Sequence, residues 1–131
     1  MSQKKIWVVD DDQIYKTIIK KIIDKSAIFD ATTTFSNGKE AINALKVAIS
    51  NKETLPDIVL LDIEMPVMDG WGFMEEIAEI KDSIPQRLII YISSSSIAIE
   101  DKLKAKNNPN IVGYMSKPIT IDDLKLIADF D

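Results

Sequence analysis

Residues 7–16 read WVVDDDQIYK, an apolar run that ends in three consecutive aspartates. The apolar part is typical of a buried strand, and a buried strand does not accommodate unpaired carboxylates. Two carboxylate charges about 5 Å apart repel each other by roughly 3 kcal/mol at an effective dielectric constant near 20. We therefore expect compensating positive charge close to the point where this strand ends.

Short apolar segments recur along the chain and predict five strands. Runs without polar alternation are typical of parallel strands that are covered on both faces. The second segment is weaker and is rich in β-branched threonine, which also favours a strand. The predicted strands are Ile6–Val9, Ala31–Phe35, Ile58–Leu61, Leu88–Ile92 and Ile111–Met115.

Apolar residues at helical spacing separate and follow these strands. Alternation of strands and helices predicts an α/β fold, with right-handed βαβ units and an open parallel sheet between two layers of helices. The apolar positions are Ile14, Ile18, Ile22 and Ile23 in the first helix, Ala41, Leu45, Ala48 and Ile49 in the second, Phe73, Met74, Ile77 and Ile80 in the third, a less regular stretch Ile97–Lys106 in the fourth, and Leu124, Ile127 and Ala128 in the fifth.

The composition of the 131-residue chain excludes several classes of site. It has no cysteine and no histidine, which removes disulfides, thiolate or imidazole metal sites and a Ser-His-Asp triad. A net charge of −5 argues against a broad nucleic-acid surface. The sequence shows neither a membrane-spanning apolar run nor a secretory signal, so we expect a cytoplasmic protein.

Polar side chains follow four of the predicted strands. Asp10 and Asp11 follow the first strand, Asp62 ends the third in IVLLDIEMP, Ser93 ends the fourth in IIYISSSS, and Lys117 follows the fifth in YMSKP. Ligands of open parallel sheets gather at the carboxyl ends of the strands. These side chains would therefore face one cleft if the four strands are neighbours.

This set of residues has a coherent chemistry. Clustered carboxylates suit a hard divalent cation such as Mg²⁺, which prefers oxygen ligands. A carboxylate such as Asp62 can also attack phosphorus and form an aspartyl-phosphate. The cation and Lys117 would then stabilise charge on the phosphoryl oxygens, and the hydroxyl of Ser93 could donate to one of them.

Four motifs, taken in order, carry a family resemblance. VVDDD, IVLLDIEMPVMDG, YISSSS and GYMSKP resemble the receiver domain of two-component response regulators. The resemblance implies a flavodoxin-like (βα)5 three-layer sandwich, whose five-stranded parallel sheet has the order 2-1-3-4-5. It runs from Ile6 to Phe130, so we expect residues 1–131 to form a single receiver domain without an output domain.

The resemblance also implies a role for each matching residue. Because residues 93–96 are four consecutive serines, the switch hydroxyl could belong to Ser93 or to a serine one position away. The side chains at Glu64 and Ser95 occupy positions that tune dephosphorylation in this family. The implied roles are phospho-acceptor for Asp62, phosphoryl-binding lysine for Lys117, direct Mg²⁺ ligand for Asp11, water-mediated ligand for Asp10, carbonyl ligand for Glu64, switch hydroxyl for Ser93 and aromatic switch for Tyr114.

The implied function is that of a phosphorelay receiver. It would accept a phosphoryl group on Asp62 from a sensor histidine kinase or a phosphotransfer protein, with Mg²⁺ or alternatively Mn²⁺ as the cofactor. It would signal to an unidentified protein target through the face formed by helix four, strand five and helix five. It would bind neither nucleic acid nor membrane directly, would act as a monomer or a phosphorylation-dependent dimer, and would catalyse nothing beyond its own phosphorylation and dephosphorylation.

Two other functions compete with this interpretation. An inactive receiver, used as a protein-binding module, would be expected to lack the acceptor or the acidic pair, and neither is missing here. A haloacid-dehalogenase-like phosphatase also uses an aspartate nucleophile and Mg²⁺, and Asp10-Asp11-Asp12 offers the acids. However, Ile14 stands where that family usually has threonine or valine, and the chain is short for it.

Overall fold

The computed structural model describes residues 4–95 and 98–129. Strands and helices alternate along the chain, as predicted, and a short 3₁₀ turn at Lys81–Ser83 follows the third helix. The strands are β1 (Lys5–Val9), β2 (Ala31–Phe35), β3 (Ile58–Leu61), β4 (Ile89–Ser94) and β5 (Gly113–Ser116). The helices are α1 (Gln13–Ser26), α2 (Gly38–Ser50), α3 (Gly70–Ile80), α4 (Ile99–Asn107) and α5 (Ile121–Ala128).

All five strands are parallel and lie in the order β2-β1-β3-β4-β5, which confirms the predicted topology. The register aligns Val9 with Leu61, Leu61 with Ile92 and Ile92 with Tyr114. The residues that follow β1 and β3 therefore emerge side by side at the centre of the sheet. Asp62 extends the pairing by one step, because its N–H donates to the carbonyl of Val9 at 2.9 Å.

Two apolar layers enclose the sheet. One face carries Val9, Leu61 and Ile92 against α2, α3 and Ala105 of α4. The other face carries alternate residues, including Leu60 and Tyr91, against α1 and α5. Because strand side chains alternate between faces, each position along a strand is assigned to one helical layer.

Side-chain caps fix where four of the helices begin. Asp12 accepts from Tyr15 N–H at the start of α1, Asn37 from Glu40 N–H at α2, and Asp69 from Gly72 N–H at α3. Thr120 and Asp123 form a reciprocal capping box at α5, which confirms Thr120 as the predicted cap. Asp12 is thus a structural member of the aspartate triplet.

The predicted apolar face of α1 is partly wrong. Ile23 is buried as expected, together with Ile19, whereas Ile14 is 75% exposed and Ile18 is 50% exposed. The helix carries two overlapping stripes of isoleucine at i, i+4 spacing, and both satisfy helical periodicity. Contact with β1 and α5 selects the stripe that contains Ile19 and Ile23, which sequence periodicity alone could not do.

Several strand boundaries differ from the prediction, three of them by one residue and two by two residues. β4 was expected to end at Ile92 but continues to Ser94, because Lys117 N–H donates to the Ser94 carbonyl at 2.9 Å. β5 begins at Gly113 rather than at Ile111, whose N–H closes a turn onto Asn108. The predicted start of the fourth helix at Ile97 lies outside the described residues. Within the described ranges, no helix has the length and apolar character needed to cross a bilayer.

Gly70 gives a test of how closely α3 packs against the end of β3. Its N–H donates to the Ile63 carbonyl at 2.8 Å, and a Cβ at this position would lie 2.4 Å from the backbone oxygen of Asp62. We expect Gly70→Ala to destabilise the fold by about 1–3 kcal/mol, since backbone must move to admit the methyl group.

Urea denaturation measures this cost, and Gly113→Ala is the matched control. A Cβ at Gly113 would meet the flexible edge of the Tyr91 ring at 3.4 Å, a contact that small adjustments accommodate. Equal midpoints for the two variants would show that the approach of Gly70 to Asp62 does not constrain the fold.

Candidate functional site

A polar cleft of about 540 Å³ lies at the carboxyl ends of β1, β3, β4 and β5. The short connections from strand to helix place the functional side chains around it, as the strand order predicts. Its lining comprises Asp10, Asp11, Asp12, Asp62, Ile63, Glu64, Ser94, Ser95, Asp101 and Lys117.

Lys117 supplies the positive charge that the aspartate triplet requires. Its ammonium group forms a short hydrogen-bonded ion pair with Asp10 and lies 3.6 Å from Asp62 Oδ2. It also sits 4.5 Å from the centre of the Tyr15 ring, a favourable cation–π contact. Burial disfavours the charged ammonium, but the hydrogen bond and charge of Asp10 and the charge of Asp62 outweigh it and raise the pKa of Lys117.

Asp62 lies in a strongly acidic environment despite this lysine. Burial of its carboxyl group and the negative charge of Asp10 raise its pKa from 3.8 to about 6, against the opposing effects of Lys117 and of the Ile63 N–H. That N–H donates to Asp62 Oδ1 at 2.9 Å and fixes the carboxylate orientation. The cleft therefore holds more negative charge than one ammonium group balances.

Three carboxylates could hold a cation together. One oxygen from each of Asp10, Asp11 and Asp62 lies within 4.8 Å of the others. An all-oxygen donor set of this kind fits Mg²⁺ rather than a soft metal. Asp10 already accepts from the Asp12 N–H through Oδ1 and from Lys117 through Oδ2, whereas Asp11 is exposed. This arrangement supports Asp11 as the direct ligand and Asp10 as a ligand acting through water.

Ser93 is buried next to the cleft, and its role as the switch hydroxyl stays a prediction. It is 3% exposed and follows Tyr91 by two residues on the α1 and α5 side of the sheet, beside the buried hydroxyl of Tyr15. Among the described residues, neither hydroxyl makes a hydrogen bond of regular geometry, although burial raises the pKa of Tyr15 and the nearby Ser93 partly offsets that rise. The strand register pairs Leu61 with Ile92, so Ser93 lies beside Asp62 and on the same face of the sheet. The side chain of Ser94 points to the opposite face, and Ser94 and Ser95 line the cleft.

The remaining predicted residues lie at the rim of the cleft or away from it. Glu64 lines the cleft and has an exposed side chain. Tyr114 pairs with Ile92 in the sheet, is 44% exposed and lies under the ammonium of Lys102, which is 5.5 Å from the ring centre. Tyr114 therefore belongs to the surface between α4 and β5 and does not line the cleft.

Sequence reasoning missed Asp101. It lies in the first turn of α4, lines the cleft and accepts a hydrogen bond from the indole N–H of Trp71 at 3.1 Å. The sequence carried a weak signal, the pair Glu100-Asp101 at a helix start, which is common as a favourable interaction with the helix dipole. Because that role is common, the pair did not indicate that Asp101 lines the cleft.

Comparison with known proteins identifies the family. The sequence model of the response regulator receiver domain matches residues 6–129, nearly the whole chain. The chain therefore belongs to the response regulator receiver domain family, and the phosphatase interpretation is set aside. The predicted family and flavodoxin-like fold are both confirmed.

Individual relatives agree with this assignment. The chain is 31% identical over 115 residues to chemotaxis protein CheY of Halobacterium salinarum, covering 88% of this chain and 85% of that protein. It is 33% identical over 129 residues to a protein-glutamate methylesterase/protein-glutamine glutaminase of Syntrophomonas wolfei, covering 96% of this chain but 34% of that protein. The chain thus spans about a third or less of the length of several curated relatives.

Solved structures show the same fold. A two-component response regulator from Cytophaga hutchinsonii superimposes with a TM-score of 0.87 at 25% identity, covering 97% of this chain and 95% of that one. The receiver domain of the sensor histidine kinase PA1611 from Pseudomonas aeruginosa has a TM-score of 0.73 at 20% identity, with coverages of 97% and 95%. That second structure has a magnesium ion coordinated in its active-site cleft.

The raised pKa of Asp62 predicts how stability depends on pH. Its carboxyl group titrates at about 6 in the fold and near 3.8 without these neighbours, so the folded state binds the proton more tightly. This contribution to the free energy of unfolding is fully present below the lower value and is lost as pH rises through about 6, a decline of about 2–3 kcal/mol. Urea midpoints in metal-free buffer across this range should fall for wild type.

Asp62→Asn removes the titrating group and should flatten this part of the profile, leaving the variant more stable than wild type at neutral pH. Asp69→Asn is the matched control, because asparagine also caps a helix well and the side chain lies outside the cleft. A wild-type profile that Asp62→Asn reproduces unchanged would contradict the assignment of the proton to Asp62.

Proposed function

We propose that this protein is a phosphorelay receiver in which Asp62 accepts a phosphoryl group from the phosphohistidine of a kinase or phosphotransfer protein. The observation that carries the proposal is the position of Lys117, whose ammonium group contacts both Asp10 and Asp62 at the mouth of an all-oxygen pocket. A structural ion pair alone would need one carboxylate. The second carboxylate, with a raised pKa and space in front of it, has the character of a reacting group.

Transfer requires an in-line attack by one Asp62 oxygen on phosphorus. The oxygen–phosphorus bond forms as the nitrogen–phosphorus bond of the donor breaks, and the released imidazole takes a proton from solvent. The Ile63 N–H holds Asp62 Oδ1 at 2.9 Å, which leaves Oδ2, on the side of Lys117, for the attack. Lys117 then pairs with a phosphoryl oxygen while it remains near Asp10.

Asp11, Asp62 and the carbonyl of Glu64 would hold a Mg²⁺ ion at the same pocket, with Asp10 acting through water. When bound, the cation supplies neutralisation of charge on the phosphoryl oxygens and of the repulsion among the three aspartates. Mn²⁺ has the same preference for oxygen ligands and would substitute for it.

Signal output follows from a shift between two conformations. The phosphoryl group would attract a hydroxyl from the end of β4, and we assign that role to Ser93, because the strand register places it beside Asp62 on the same face of the sheet. Movement of this hydroxyl would shift Tyr114 and the surface formed by α4, β5 and α5. An unidentified protein partner would bind to that surface. The protein would act as a monomer or as a phosphorylation-dependent dimer, and a size measurement with and without a phosphoryl mimic distinguishes the two.

Labelling tests the acceptor directly. Incubation with Mg²⁺ and acetyl phosphate should add one phosphoryl group to the intact protein, and peptide mapping by mass spectrometry should place it on Asp62. Asp62→Asn should lose the label because an amide oxygen is a poor nucleophile, while Asp69→Asn should keep it. A chelator should abolish labelling of wild type.

Labelling that survives in Asp62→Asn would refute the acceptor assignment. A complete lack of labelling, with the fold intact by circular dichroism, would instead favour the inactive protein-binding module.

The two serines of β4 give a second, independent comparison. Ser93→Ala should slow acetyl-phosphate labelling and weaken its conformational response, by roughly 5- to 100-fold in rate, since one hydrogen bond to the charged phosphoryl group is lost. Ser94→Ala removes a hydroxyl of the same size from the opposite face of β4 and should leave the labelling rate within about twofold of wild type. Time courses of labelled protein measure both, and the reverse ranking would move the switch role from Ser93 to Ser94.

A further inference from the structure

We propose that Asp101 is a charge-sensing residue of the cleft, which holds the indole of Trp71 while Asp62 is unphosphorylated and releases it when phosphoryl charge arrives. This inference rests on the proposed function, because it needs a negative group on Asp62. It adds a residue and a route of output, from the cleft to the groove between α3 and α4, to the surface formed by α4, β5 and α5.

Asp101 belongs to two environments at once. Its side chain is half-buried, lines the cleft together with Asp11 and Asp62, and accepts from Trp71 Nε1 at 3.1 Å through Oδ1. Trp71 is the second residue of α3, so this hydrogen bond ties the first turn of α4 to the first turn of α3. The carboxylate of Asp101 therefore connects the charged cleft with the contact between α3 and α4.

Trp71 lies on the other side of this contact. Its ring faces the ammonium of Lys104, which is 5.2 Å from the ring centre, and it lines an open, mainly apolar groove of about 800 Å³ between α3 and α4. Leu103 and Met74 line the same groove. A change in the position of the indole would therefore alter a surface that does not border the cleft.

The charge of Asp101 is weakly compensated. Among residues 4–95 and 98–129, no lysine or arginine lies within ion-pair distance of its carboxylate. The carboxylate accepts a hydrogen bond from the indole N–H and lies in the first turn of α4, where the helix dipole favours a negative charge. A phosphoryl group on Asp62 carries about −1.5 to −2 charges at neutral pH. Repulsion across a shared, partly desolvated cleft favours movement of Asp101 away from Asp62, and such movement strains a single 3.1 Å hydrogen bond.

The chain offers a direct readout, because it contains two tryptophans and hence two indole N–H signals in a ¹H–¹⁵N spectrum. Trp7→Phe assigns them, since it leaves Trp71 alone. Trp7 packs against Phe35 in a tilted arrangement with ring centres 4.6 Å apart, in the layer under α2, and serves as the internal reference. The probe is Mg²⁺ with beryllofluoride, a stable phosphoryl mimic, compared with Mg²⁺ alone.

In wild type, beryllofluoride should move the Trp71 indole signal and speed its exchange with solvent, while the Trp7 signal stays in place. Asp101→Asn keeps an oxygen that can accept from Trp71 but removes the charge, and it should reduce the beryllofluoride-induced shift by more than roughly half. Glu100→Gln is the matched control. Glu100 stands in the same first turn of α4 and carries the same charge, but it is exposed and lines the groove, so the full response should remain.

Two different failures are distinguishable when acetyl-phosphate labelling is mapped on the same protein preparations. If Asp62 is labelled but the Trp71 signal does not respond, or responds equally in Asp101→Asn, the charge-sensing role is overturned and the receiver function stands. If neither labelling nor any response occurs, the receiver function fails and the inference fails with it. A response lost in Asp101→Asn and kept in Glu100→Gln supports the role.

Discussion

The contact of one ammonium group with two aspartates from different strands is the constraint around which the cleft is built. Lys117 reaches Asp10 at the end of β1 and Asp62 at the end of β3, although β5 is separated from β3 by β4. A lysine can span this distance because its side chain is long, and its ammonium group ends 4.5 Å from the centre of the Tyr15 ring. These ion pairs supply the positive charge that the repulsion among the aspartates requires. They offset only part of the negative charge in the cleft, as the raised pKa of Asp62 shows.

The parallel strand register determines where the carboxylates of the cleft lie. Asp10 and Asp62 follow paired residues of adjacent strands, and the helix caps Asp12 and Asp69 lie two and seven residues further along the chain. The close approach of Gly70 to the backbone of Asp62 then leaves the connection between β3 and α3 little freedom. The carboxylates are thus held by backbone pairing on one side and by helix starts on the other.

Most of the fold was predictable from the sequence, because apolar runs and helical spacing report burial directly. The strand order came from the family resemblance and not from periodicity. The α1 face could not be resolved, since Ile14 and Ile19 belong to two stripes of equal periodicity. The end of β4 could not be predicted for a related reason: a run of four serines has no hydrophobic pattern, and the end of β4 depends on a hydrogen bond from Lys117, which is distant in sequence. Asp101 was missed because its approach to the cleft depends on how α4 packs against α3.

The absence of histidine and cysteine has a further consequence for this cleft. Imidazole and thiol groups usually dominate proton exchange between about pH 5 and 8, and this chain has neither. Asp62, whose pKa is about 6, therefore titrates in a pH range in which this chain has no imidazole or thiol group. Infrared or carbon-detected titration would therefore follow the ionisation of Asp62 near pH 6 with little overlap from other groups, and a cation that binds the cleft below pH 6 would displace the proton from Asp62.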